Sequence, residues 1–90
     1  MQIISSKDNE LIKKIKKLKE KKYRDLNNEY IIEGTKLIKE AIEENTNIKQ
    51  IVICDNCQNT DIIPKELMYE IAKYECIYVT EKIFKNISDV

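Results

Sequence analysis

The sequence predicts a small α/β domain of three layers, with helices on both faces of a short mixed or parallel sheet. Three observations carry this. Apolar stripes at helical spacing alternate with short apolar runs, the runs at 51–54 and 76–79 are nearly continuous, and 90 residues have no room for a second core. A chain of this length buries only about 60 to 65% of the surface its unfolded form exposes, so every apolar stripe counts. With 42% apolar residues it can still build a core.

Ser5 and Ser6 are candidate caps for a first helix over about 7–19, in which Leu11, Ile12, Ile15 and Leu18 share one arc at 100° per residue. Lys13, Lys14, Lys16, Lys17 and Lys21 fall on the opposite arc, giving a lysine-coated face. Asn27-Asn28 reads as a turn. Glu29-Tyr-Ile-Ile-Glu33 then reads as a short strand closed by the single glycine, Gly34, which can take a positive φ or admit a close neighbour. Leu37, Ile38, Ala41 and Ile42 stripe a second helix from Thr35 to Glu44, with Asn45 as its stop.

Ile51-Val-Ile-Cys54 has the character of a buried strand. Pro64 suits the first position of a third helix whose inward residues are Leu67, Met68, Ile71 and Ala72. Cys76-Ile-Tyr-Val79 is a further strand, and Thr80 caps a last helix carrying Ile83, Phe84 and Ile87. The ending Ile87-Ser-Asp-Val90 reads as the start of a connection to something further.

The formal net charge is zero, yet it is unevenly laid out. Residues 1–24 hold nine basic residues against three acids, a net +6, and the remainder carries −6. Clustered charge raises the local potential whatever the total, so this split speaks of partners. The chain has no apolar run near 18 residues, no secretory leader pattern and no lipidation motif. These features and an odd count of three cysteines set a cytoplasmic expectation, with no membrane contact.

Little in the chain suggests chemistry. Cys54-Asp-Asn-Cys57 is a CxxC, but a closed zinc site needs four ligands, and with no histidine only Cys76 is left to add. A redox pair needs a helix amino terminus behind it, and loop residues follow instead, so two packed thiols are the default and no metal ligand is assigned. Glu29 and Glu33 flank the same strand, which more often means surface charge than an acid and a base. Neither a glycine-rich phosphate loop nor a Ser/His/Asp set is present, and no catalytic residue is assigned.

The lysine face allows a bland reading and a sharper one. A solvated helix mixes signs to gain i,i+4 pairs, whereas this one sets lysine beside lysine at mutual cost, which favours a polyanion partner. Tyr23 and Tyr30 lie near the basic segment, where a ring could stack on a base.

The ordered set Ser5-Ser-Lys-Asp-Asn9-Glu-Leu-Ile-Lys13-Lys-Ile-Lys-Lys-Leu18, Lys21-Lys-Tyr-Arg24 and Tyr30-Ile-Ile-Glu33-Gly34-Thr-Lys-Leu-Ile-Lys-Glu40-Ala41 closely resembles the opening of SpoU/TrmH-family RNA ribose 2′-O-methyltransferases. The resemblance is detailed over about the first 45 residues and continues in element order to Val79-Thr-Glu-Lys-Ile-Phe84.

What the resemblance implies is an amino-terminal RNA substrate-binding domain, residues 1–90, folded like the small ribosomal kink-turn-binding proteins. A knotted catalytic domain that binds S-adenosylmethionine would follow residue 90 and pair the parent enzyme as a homodimer. The 90 residues themselves would be neither catalytic nor cofactor-binding. Ribosomal RNA is the implied partner, and the motif positions are Asn9, Lys13, Arg24, Glu33 and Gly34. The candidate RNA contacts are Arg24, Lys13, Lys16, Lys17, Lys21, Lys22, Asn9 and Tyr23. Arg24 leads because a guanidinium can hold phosphate bidentately or stack on an unpaired base. The alternatives are a stand-alone kink-turn-type RNA-binding protein and a domain whose basic helix docks on an acidic protein.

Overall fold

A computed structural model describes residues 2–57 and 62–88. The expected connection at 87–90 therefore lies partly outside the described residues. In chain order the elements are β1 (Ile3–Ile4), α1 (Glu10–Lys17), α2 (Lys21–Asn27), α3 (Thr35–Glu43), β2 (Ile51–Cys54), α4 (Lys65–Ile71), β3 (Cys76–Val79) and α5 (Glu81–Ile87). The sheet is parallel throughout, in the order β1-β3-β2. Ile4 is in register with Val79, and Ile51 with Cys76. The Thr80 amide donates to the Ile4 carbonyl at 3.0 Å and the Asp55 amide to that of Val79 at 2.8 Å, which fastens both edges to the central strand.

Period-two alternation sorts the strand side chains between two cores. Ile77 and Val79 of β3 meet Ile12 of α1 and Ile83 and Ile87 of α5 on one side, joined by Ile4, Leu11, Ile15, Val52 and Phe84. Ile51 meets Leu67 and Ile71 of α4 on the other, joined by Ile38 and Ile42 of α3 among others. This is the expected α/β/α sandwich. Two inward assignments need correction: Leu37 is 47% exposed and Ala72 lies on the surface. Each sits at the margin of its stripe, where the helix has already turned away from the sheet.

Local chemistry ends the helices where it should. Asn45 adopts φ 56°, its amide donates to the Ile42 carbonyl at 3.1 Å and the Thr46 amide to that of Ala41 at 3.0 Å, the double bond pattern of a left-handed helix stop. Thr80 accepts from the Ile83 amide as a cap for α5. Pro64 stands one place earlier than expected, at the cap of α4 and outside it, with ψ at 147°.

Other expectations fail, each for an identifiable reason. The first helix starts at Glu10 rather than near residue 7, because Asn9 and neither Ser5 nor Ser6 caps it. Residues 29–33 form no strand: β1, read from sequence as nothing, takes the place beside β3. Tyr30 and Ile31 remain exposed, without a buried face to pin a register. Glu29 and Glu33 consequently do not share a strand side. Cys54 and Cys57 come together across a turn that Asn56 closes with φ 56°, their Cα atoms 5.7 Å apart. Burial pushes the Cys76 thiol above the usual range.

Gly34 opens α3 with φ 105° and ψ 146°, and a Cβ built there would meet nothing within 4 Å. The glycine is thus demanded by backbone conformation and not by crowding, since side-chain-bearing residues almost never enter this region. Gly34→Ala is expected to cost about 1 to 3 kcal/mol in urea unfolding. An unchanged midpoint would mean that the chain reaches α3 by another path.

Candidate nucleic-acid interface

α1 and α2 form a corner, with Leu18, Lys19 and Glu20 as the bend. Asn9 Oδ1 accepts from the amides of Leu11 at 2.9 Å and Ile12 at 3.4 Å, so this motif residue serves as the cap of α1. Ser6 Oγ instead accepts from the Asp8 amide at 3.1 Å. With Ile12 fully buried beneath it, α1 turns Lys13 and Lys17 outward, while Lys16 is half-buried on its flank. Lys21 and Lys22 are exposed too, but on α2. The lysine face expected on one long helix is therefore divided between two shorter ones.

α2 was hidden in the sequence because it buries no residue: Leu26 is 74% exposed, and Glu20 supplies no side-chain cap. Its hold on the rest comes through Arg24, whose Nη1 donates to the carbonyls of Leu18 at 3.0 Å and Lys19 at 2.7 Å. These carbonyls follow the last turn of α1, where acceptors lack helical partners and a cation is favoured. The residue expected to lead RNA contact thus also fastens the corner.

Tyr23 supports the lysines around it. Lys17 Nζ lies 5.4 Å and Lys22 Nζ 5.5 Å from its ring centroid, so one ring draws an ammonium from each helix into the same neighbourhood. Lys21 pairs with Asp25 at 2.6 Å and Lys13 with Glu10 at 4.0 Å, both on the surface, where such pairs contribute about 0 to 1 kcal/mol and yield readily to a stronger anion.

The segment after α2 carries two anchors that sequence reading missed. Glu29 pairs with Lys49 at 2.9 Å; the hydrogen bond from that ammonium holds its carboxyl below the usual range, and Lys14 adds to the effect. Glu33 accepts from the hydroxyl of Ser88, just beyond α5. No local pattern could announce a contact spanning 55 residues. Between the anchors, Tyr30 and Ile31 close a cleft of about 260 Å³ with Leu18, Lys19 and Arg24.

The model of the MRM3-like substrate binding domain matches residues 9–90. The chain belongs to this family. MRM3-like substrate binding domains are associated with RNA methyltransferases, and the matched stretch opens at the Asn9 cap and takes in the whole α1–α2 corner, while β1 lies ahead of it. No curated protein and no solved structure matches the chain.

Proposed function

We propose that this chain is the RNA-binding half of a SpoU/TrmH-type ribose 2′-O-methyltransferase that uses S-adenosylmethionine and acts on ribosomal RNA. The observation that carries the reading is the α1–α2 corner of an MRM3-like substrate binding domain, where exposed lysines from two helices collect around Tyr23. Lysines crowded on one surface repel one another and persist at a cost that a phosphate backbone relieves, since each phosphate contact also releases condensed counterions.

The division of labour follows from the resemblance to that methyltransferase family. This domain would hold and orient the RNA, and a knotted domain after residue 90 would bind the methyl donor, transfer the methyl group to a ribose hydroxyl and pair two subunits. The 90-residue chain is accordingly expected to retain structured ribosomal RNA on a filter while giving no heat of binding when titrated with S-adenosylmethionine. Saturable micromolar binding of the methyl donor would overturn this division. Failure to retain RNA at low salt would overturn the function.

A further inference from the structure

The cleft between the α1–α2 bend and the segment after α2 has features that phosphate contact alone does not require. Leu18 and Ile31 give it apolar walls, Tyr30 contributes a ring that is 69% exposed, and Lys19 and Arg24 supply two cations. At about 260 Å³ it falls below the roughly 300 to 1,000 Å³ of pockets that enclose a small molecule, so its occupant would be a single flat group resting partly in solvent. We infer that this cleft is the seat of one unpaired nucleobase, stacked on Tyr30, with its phosphate drawn toward Lys19 and Arg24. This rests on the RNA-binding function proposed above.

The walls are set before any ligand arrives. Two carbonyls hold Arg24 Nη1, and the segment bearing Tyr30 and Ile31 is tethered on one side by Glu29 to Lys49 and on the other by Glu33 to Ser88. A preset wall spares the ordering cost that a loose loop would incur on binding. Every base offers a π-face, and a ring beside cations accepts one without reading its identity. A paired base has both faces covered by its neighbours in the stack, so the seat selects loops, bulges and ends over duplex.

Tyr30→Ala and Tyr30→Phe would be tested with two probes. One is an RNA hairpin whose unpaired adenosine loop carries a 2-aminopurine, and the other is a fully paired RNA of the same length. Loss of stacking on one base should weaken hairpin binding by Tyr30→Ala about 5- to 150-fold, with duplex affinity and the salt slope unchanged. Tyr30→Phe keeps the ring and should bind like the parent. The 2-aminopurine should be quenched by the parent and by Tyr30→Phe, but not by Tyr30→Ala. Equal melting temperatures of the three proteins, expected at so exposed a position, would show that folding is not being read.

A Tyr30→Ala protein that binds and quenches the hairpin like the parent would overturn the seat while leaving the lysine corner standing. An equal loss on hairpin and duplex would overturn it as well, because the ring would then be acting on the backbone. If the parent binds neither probe at low salt, the RNA-binding function itself fails, and the seat with it.

Discussion

Ile12→Ala is expected to lower the unfolding free energy by about 2 to 5 kcal/mol, the usual cost of removing three carbons from a closed core. Ile12 is 0% exposed and packs with Ile77, Val79, Ile83 and Ile87, so it joins α1 to both the central strand and α5. A domain of this size has about 5 to 13 kcal/mol in total, and each kilocalorie moves its melting temperature by about 4 to 8 °C. The loss should therefore appear as a fall of about 8 °C or more in a circular dichroism melt. Leu37→Ala makes the matching control on α3, because a side chain 47% exposed has less contact to lose, and it should cost under about 1 kcal/mol. If the two variants melt together, α1 is not seated on β3 as described. The lysines would then lack a fixed platform.

What the sequence disclosed depended on whether an element buried its own residues. Ile51–Cys54 and Cys76–Val79 were legible to the residue because strands covered on both faces are apolar throughout. α3 and α5 declared themselves through an inward stripe and one recognisable end, the Asn45 stop in one case and the Thr80 cap in the other. β1 is two residues long, too short to show any period. Tyr30-Ile-Ile32 has the β-branched look of a strand, but propensity alone pairs it with nothing: Tyr30 and Ile31 stay exposed, and β1 holds the place beside β3.

The candidate site was legible in its charge and not in its shape. An excess of lysine over residues 13–22 needs no structure to be noticed, but a helical wheel assumes one straight helix. The bend at Leu18–Glu20 breaks that assumption, moves Lys21 and Lys22 onto α2, and creates the cleft beside Arg24. Arg24 illustrates the limit most plainly. Its guanidinium and its place in the motif suggested RNA, whereas its contacts with Leu18 and Lys19 are set by the fold, so substitutions at Arg24 would mix loss of the corner with loss of binding.

The lysines allow a cleaner test, because Lys13, Lys17 and Lys22 are exposed and the contact of Lys17 with the Tyr23 ring is far weaker than the hydrogen bonds by which Arg24 fastens the corner. Replacing all three with glutamine removes three charges and nearly preserves helix propensity, so the far-ultraviolet spectrum should stay unchanged. Some local effect is expected at Tyr23, which loses two ammoniums worth about 0.5 to 1 kcal/mol each at an exposed ring, partly offset by relief of their mutual repulsion. The effect on RNA should be far larger. Each lost phosphate contact flattens the log-log dependence of affinity on salt by about 0.7 to 0.9, so three should flatten it by about two to three units. Near 0.1 M salt that slope corresponds to a loss of about 100-fold or more in affinity for structured ribosomal RNA. The hairpin and the duplex should lose alike, since phosphates are common to both, in contrast to the selective loss expected on removing Tyr30. If the triple variant binds with the parent's affinity and salt slope, these lysines keep the domain soluble and RNA approaches it from another side.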